Sequence, residues 1–168
     1  MSAVATRFRP AAEADLPAVV AAYNAGITER VATFETAPRT VRDVVPWLTD
    51  GQPFIVAERE SKVVGFARAG EYSDRCVYSG VGEHAVYVAP EARGLGLGRA
   101  LLEELASASE RAGLYKLTSR IFTDNVASRA AHLAAGFEEV GIQRRHGKLD
   151  GEWKDCVLVE RLLGEAAD

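Results

Sequence analysis

A chain of 168 residues, 48% hydrophobic and 26% charged, is sized for one domain that buries roughly two-thirds of its unfolded surface. Its net charge of -4, without any basic block, argues against general nucleic-acid binding, and no apolar run approaches the roughly 20 residues a membrane span needs. Cys76 and Cys156 make neither a metal-ligand spacing nor a disulfide framework, and the N-terminus lacks the apolar core of a signal peptide, so a cytoplasmic protein with reduced thiols and no metal is expected.

Residues 6–9 read as a short strand closed by Pro10. Asp15 is expected to cap a helix in which Leu16, Val19, Val20, Tyr23 and Ile27 share one face and Pro17 is tolerated in the first turn. Gly26 weakens that helix, so irregular backbone is expected from about residue 26 to 36. Thr40 opens a second short helix through Trp47 and Leu48. Residues 54–58 and 63–69 form a hairpin turning at Glu60-Ser61, and a polar loop from 71 to 82 carries Arg75, Cys76 and Tyr78.

A strand follows, in which Val86, Tyr87 and Val88 are β-branched or aromatic, and it stops at Ala89-Pro90. Next comes Arg93-Gly94-Leu95-Gly96-Leu97-Gly98-Arg99, then a helix with Leu101, Leu102, Leu105 and Ala108 at 3.6-residue spacing, ended by Gly113. Residues 116–121 are predicted as a strand, 125–135 as a helix closed by Gly136, and 137–145 as a strand. A turn-rich connection, 146–151, leads to the last strand, 152–161, and residues 164–168 read as a frayed tail. This order predicts an α/β fold: a mixed, mostly antiparallel sheet of about seven strands with helices on both faces, in a single domain spanning 1–168.

Glycines between a strand and a helix let main-chain N–H groups approach a ligand, and the helix N-terminus behind them favours an anion. Arg99 could add a charge at the rim of such a phosphate cradle. The spacing is not that of a P-loop, because no lysine follows Gly98, nor of a dinucleotide fingerprint, because its third glycine would fall on Arg99 or Leu101. It fits Arg/Gln-x-x-Gly-x-Gly, as Arg93, Gly96 and Gly98, and so resembles the coenzyme A pyrophosphate loop of the GNAT N-acetyltransferases.

Two charged groups lie close to this loop in the expected fold. Glu83 opens the strand and shares a face with Ala85 and Tyr87; it is a candidate general base, against the plainer reading of a solvated or arginine-paired carboxylate. Arg75, in the loop before it, could clamp an oxyacid group, against that of a surface arginine. His84 points to the other face and reads as a satisfied or surface histidine.

The resemblance covers nearly the whole chain. Asn125-Val126-Ala127-Ser128 and His132-Leu133-Ala134-Ala135-Gly136-Phe137 look like the family segment whose asparagine touches the coenzyme and whose tyrosine protonates the departing thiolate; His132 stands at the tyrosine position, open to an acid role or to packing. Residues 21–26, 32–36, the Arg75…Tyr78…Glu83 spacing and residues 146–155 resemble the phosphinothricin acetyltransferase branch, with the arsinothricin N-acetyltransferases the best fit. The resemblance implies an acetyl-CoA-dependent enzyme that acetylates the α-amine of a glutamate-like toxic amino acid, namely arsinothricin, phosphinothricin or methionine sulfoximine, by direct transfer without a cysteine nucleophile. It implies Glu83 as base; Val86, Tyr87, Val88, the 93–99 loop, Asn125 and Ser128 as coenzyme contacts; Phe34, Arg75 and Tyr78 at the acceptor; and a homodimer. Acetylation of another amine or a protein N-terminus, and a non-catalytic acyl-CoA sensor, are the rival readings.

Overall fold

The computed structural model describes residues 3–168. Its strands are β1 (Thr6–Pro10), β2 (Phe54–Arg59), β3 (Lys62–Glu71), β4 (Val81–Val88), β5 (Lys116–Phe122), β6 (Glu138–Leu149) and β7 (Glu152–Leu162). They form one sheet in the order β1-β2-β3-β4-β5-β7-β6, antiparallel at every junction except β4–β5. The helices are α1 (Leu16–Glu29), α2 (Val41–Val44), α3 (Leu97–Arg111) and α4 (Val126–Ala134).

The two faces of the sheet are sorted by the alternation of β3. Phe66 packs with Leu16, Val19, Tyr23 and Ile27 of α1, while Ala67 and Ala69 face Leu101, Leu102 and Leu105 of α3. Both groups are buried, so α1 and α3 are held to opposite faces mainly by removal of apolar surface from water. Truncating a fully buried leucine such as Leu105 to alanine costs about 2–5 kcal/mol in cores of this kind. At the edge, Arg9 donates to Asp15 at 2.7 and 2.9 Å and to Glu58, joining β1, β2 and the start of α1. Those bonds hold the Asp15 carboxyl below the usual carboxylate range.

Local expectations needed four corrections. Asp15 does not cap α1 with its side chain; the carboxylate turns back to the Ala12 N–H and to Arg9. Helix α1 runs through Gly26 to Glu29; a Cβ at Gly26 would sit 2.6 Å from the Tyr87 ring, so the glycine admits a strand side chain rather than ending the helix. Residues 146–149 belong to β6, and the turn is confined to Asp150-Gly151, both at positive φ. Pairing with β7 resumes there after a bulge between Gln143 and Gly147. The last residues form a 3-10 turn, Gly164–Ala167, where a frayed tail was expected.

Candidate active site

The cleft is made by two strands parting. β4 and β5 pair only from Val81 to Glu83 against Lys116 to Thr118. Beyond that point Ala85, Val86, Tyr87 and Val88 remain bonded to β3 alone, and residues 119–122 to β7 alone. Each strand therefore turns an unpaired main-chain edge toward the gap, where N–H and C=O groups need partners. The gap is part of a cleft of about 550 Å³, bordered also by α4, by the loop ahead of α3 and by Val31 and Ala32.

At the outer end, Gly94 and Gly96 take φ values of +79° and +77°, which a residue with a Cβ adopts only with strain. No side chain caps α3, which leaves its first N–H groups to a ligand. With the dipole of a 15-residue helix behind them, these amides suit a pyrophosphate. Arg93 and Arg99 border the same end. Arg93 is tied to Glu29 at 2.7 Å and to the Val88 carbonyl, while Arg99 pairs with Glu103. Leu95 is the one loop residue whose side chain stands outside the cleft, exposed to solvent.

His84 and His132 lie at the inner end, where β4 and β5 separate. Both rings are buried, and their Nε2 atoms are 2.9 Å apart. His132 Nδ1 lies 2.7 Å from the Ser128 carbonyl, and Phe137 packs on both rings. Burial pushes both imidazoles below the ordinary histidine range, so the pair is neutral at neutral pH.

The predicted acceptor residues are elsewhere. Glu83 is exposed on the α1 face, two and four residues before Ala85 and Tyr87, and does not border the cleft. Arg75 and Tyr78 are also exposed, in the turn before β4; the guanidinium sits over the Tyr78 ring at 5.5 Å, and Tyr78 meets Tyr72 edge-on. Phe34 packs on Phe122 and against Gly147, where a Cβ would come within 2.8 Å of its ring.

Phe34 belongs to a strap, residues 30–39, that crosses from α1 to the β6–β7 tip. Arg30 bonds Asp150 at 2.9 Å, the Asn125 amide donates to the Val31 carbonyl at 3.1 Å, and Glu35 accepts from Tyr23 and Arg39. Burial and that carboxylate push the Tyr23 phenol up to about 12. Asn125 also caps α4 by accepting from the Ser128 N–H.

Residues 21–137 match the model of the acetyltransferase (GNAT) family. The chain belongs to that family. Among curated relatives, it is 36% identical over 154 residues to a phosphinothricin N-acetyltransferase of Alcaligenes faecalis, covering 89% of this chain and 78% of the relative. It is 31% identical over 157 residues to an L-methionine sulfoximine/L-methionine sulfone acetyltransferase of Pseudomonas aeruginosa, covering 90% and 91%. A phosphinothricin acetyltransferase from Sinorhizobium meliloti, solved with acetyl-CoA, superposes with a TM-score of 0.89 at 32% identity, over 96% of this chain and 90% of that one.

The cleft of this acetyltransferase has main-chain features that suit acetyl-CoA: unpaired strand edges match the amides of a pantetheine arm, and an uncapped helix end matches a pyrophosphate. Val86, Tyr87, Val88, Arg93, Gly94, Gly96, Leu97, Gly98, Arg99, Asn125, Ser128 and His132 are brought together around the cleft, while Glu83, Arg75, Tyr78 and Phe34 are not. Sequence reasoning read His84 as a satisfied or surface histidine with no place in the site, and missed Val31 and Ala32. It also missed Ala131, whose Cβ lies 3.8 Å from the point where a Cβ on Gly98 would stand. The signal for His84 was its place on the β4 face opposite Glu83, the same face as Val86. No helix is long and apolar enough to cross a membrane, and no cluster of three or more metal-ligating side chains occurs among the described residues.

Proposed function

We propose that this acetyltransferase moves the acetyl group of acetyl-CoA to the α-amine of a glutamate-like toxic amino acid, by direct attack of the amine on the thioester in a ternary complex. The observation that carries the coenzyme half is the β4–β5 cleft ending on the uncapped α3. The acceptor half is supported by Arg75 and Tyr78 in the turn leading into β4 and by Glu83 at its start, together with relatives named for phosphinothricin and methionine sulfoximine. Arsinothricin belongs to the same acceptor class. In this reading Glu83, solvated on the α1 face, takes the amine's proton directly or through a water, and Arg75 clamps the acceptor's acidic group. The imidazoles at the cleft's inner end meet the departing thiolate. One domain, 1–168, carries the reaction in a cytoplasmic homodimer, with Phe34 and the β6–β7 turn walling the acceptor.

Thiol release from acetyl-CoA tests the reading, with phosphinothricin, arsinothricin, methionine sulfoximine, glutamate, lysine and spermidine as acceptors. Turnover confined to the first three supports it. Turnover only with lysine or spermidine keeps the acetyltransferase and discards the acceptor, and coenzyme binding without turnover would favour a sensor.

A further inference from the structure

The strap is tied down unevenly. At its far end the Asn24 side chain donates to the Arg39 carbonyl at 2.9 Å and accepts the Arg39 N–H at 2.8 Å, and Glu35 adds its bonds to Tyr23 and Arg39. At its near end, residues 31–34 make no hydrogen bond to another main-chain group among the described residues. That end is held by Phe34 on Phe122, by the exposed Arg30–Asp150 pair and by the Asn125 amide on the Val31 carbonyl.

These few contacts lie beside the opening of the cleft. Helix α4 stands with α3 on one face of the sheet, where Ala131 packs on the cluster of Leu101 and Leu105. Alternation along β5 sends Ile121 to that face and Phe122 to the other, where it meets Phe34. The strap therefore runs along the α1 face, where Val31 and Ala32 border the cleft and Glu83 is exposed. Asn125, between β5 and α4, joins the two sides with both ends of its amide. The Ser128 N–H only donates, so Oδ1 faces it at 3.2 Å; the Val31 carbonyl only accepts, so Nδ2 faces it at 3.1 Å. A carboxylate or a hydroxyl would cap α4 equally well. Neither makes the second bond: aspartate has no proton to give, and the serine oxygen is one bond nearer the main chain.

We propose that Asn125 is a positioning residue, a clasp that ties the strap to the N-terminus of α4 across the opening of the cleft and so holds the Phe34 wall in place for the acceptor. The proposal rests on the acetyl-transfer reading above, and it gives the asparagine a task other than the coenzyme contact that the family resemblance implies. With the clasp made, Val31 and Ala32 keep their place at the cleft border with or without coenzyme. With it broken, the near end of the strap retains only the Phe34 packing and a solvated ion pair, which holds weakly. The seat of the coenzyme itself, the α3 amides and the parted strand edges, does not depend on the strap.

Asn125→Ser and Asn125→Asp test the clasp, because both keep the cap and lose the donor. In each, the KM for phosphinothricin should rise about 3- to 10-fold, the worth of one hydrogen bond, with the acetyl-CoA KM within about twofold and Tm close to the parent's. Trypsin cleavage after Arg30, followed by mass on the full chain without substrates, should speed up by a similar factor, since it reports local opening of the strap. A rise in the acetyl-CoA KM with an unchanged cleavage rate makes Asn125 a coenzyme contact and overturns the proposal. So does an effect confined to Asn125→Asp, which would be one of charge, and so does a lowered Tm with parental KM values and cleavage, which would leave only a cap. Should neither variant fold, NMR on the parent decides: a nuclear Overhauser contact from the Asn125 side-chain N–H to residues 31–32 should persist when coenzyme A is saturating, and its loss overturns the clasp. Failure of every acceptor in the thiol-release panel would remove the acetyl-transfer reading and leave the cleavage and NMR results standing.

Discussion

The β4–β5 cleft and the set of residues proposed for the acceptor are built by different means. The cleft between β4 and β5 is made of main chain: two strands that part after Glu83 and Thr118, two glycines at positive φ and a helix without a cap. The residues proposed for the acceptor are side chains, none of them bordering that cleft: Glu83 on β4 and Arg75 and Tyr78 in the turn before it are exposed, and Phe34 on the strap is half-buried. A site made of backbone is complete once the fold is formed. One made of solvated side chains draws its geometry from a bound acceptor or a second subunit, and can change specificity without disturbing the first.

The widest test of that contrast is Glu83→Gln. As the base it should cost roughly 10²- to 10⁴-fold in kcat at neutral pH while acetyl-CoA binding, followed by calorimetry, stays nearly unchanged. A parental rate would remove Glu83 as base. Next is Gly96→Val, which strains a φ of +77° by about 1–2 kcal/mol and narrows access to the α3 amides. A Cβ there meets nothing within 4 Å, so the fold should persist while the acetyl-CoA KM rises tens of fold and the acceptor KM does not move. Arg75→Ala should do the reverse, raising the acceptor KM by about 1.5–3 kcal/mol, or roughly 10- to 150-fold, with the acetyl-CoA KM unchanged. A fall in kcat alone would place Arg75 outside acceptor binding.

A separate effect, on stability, comes from the buried imidazoles. Their folded pKa values lie below the unfolded value of about 6.5, so the unfolded chain binds more protons as pH drops under that value. Stability should be full above about pH 6.5 and fall, as pH drops, by up to about 1.4 kcal/mol per pH unit for each ring that stays neutral, for His84 down to about pH 3. The lowered carboxyl of Asp15 acts in the same direction at still lower pH. Urea midpoints compared at pH 7.5 and 5 check this; a parent protein as stable at pH 5 as at 7.5 would mean that the rings are not held neutral.

Much of the backbone site could be read from residue order. Arg93, Gly96 and Gly98 between a β-branched strand and a leucine-spaced helix announced the loop, because positive φ and close approach depend on residue type at a single position. The Glu60-Ser61 turn and Gly136 were legible for the same reason. His84 was not. Its burial follows from the point at which β4 and β5 separate and from a helix 48 residues later in the chain, neither of which leaves a local pattern. Gly26 and Gly147 misled in a related way: each makes room for a distant aromatic ring, Tyr87 and Phe34, and looked from its neighbours like a helix breaker and a turn.

The strap over residues 30–39 has a consequence for how the chain is made. Arg30, Val31 and Phe34 find their partners at Asp150, Asn125 and Gly147, about 90 to 120 residues later. During synthesis the first half of the chain can pack α1 on β2 and β3, but the strap's contacts at Gly147 and Asp150 cannot form until the β6–β7 tip has emerged. Contacts of such separation carry a large loop-closure cost and are slow to form. One wall of the cleft is therefore among the last parts of the molecule to be finished, and a ribosome-bound chain that stops before β7 would be an acetyltransferase in outline that lacks the closure its substrates need.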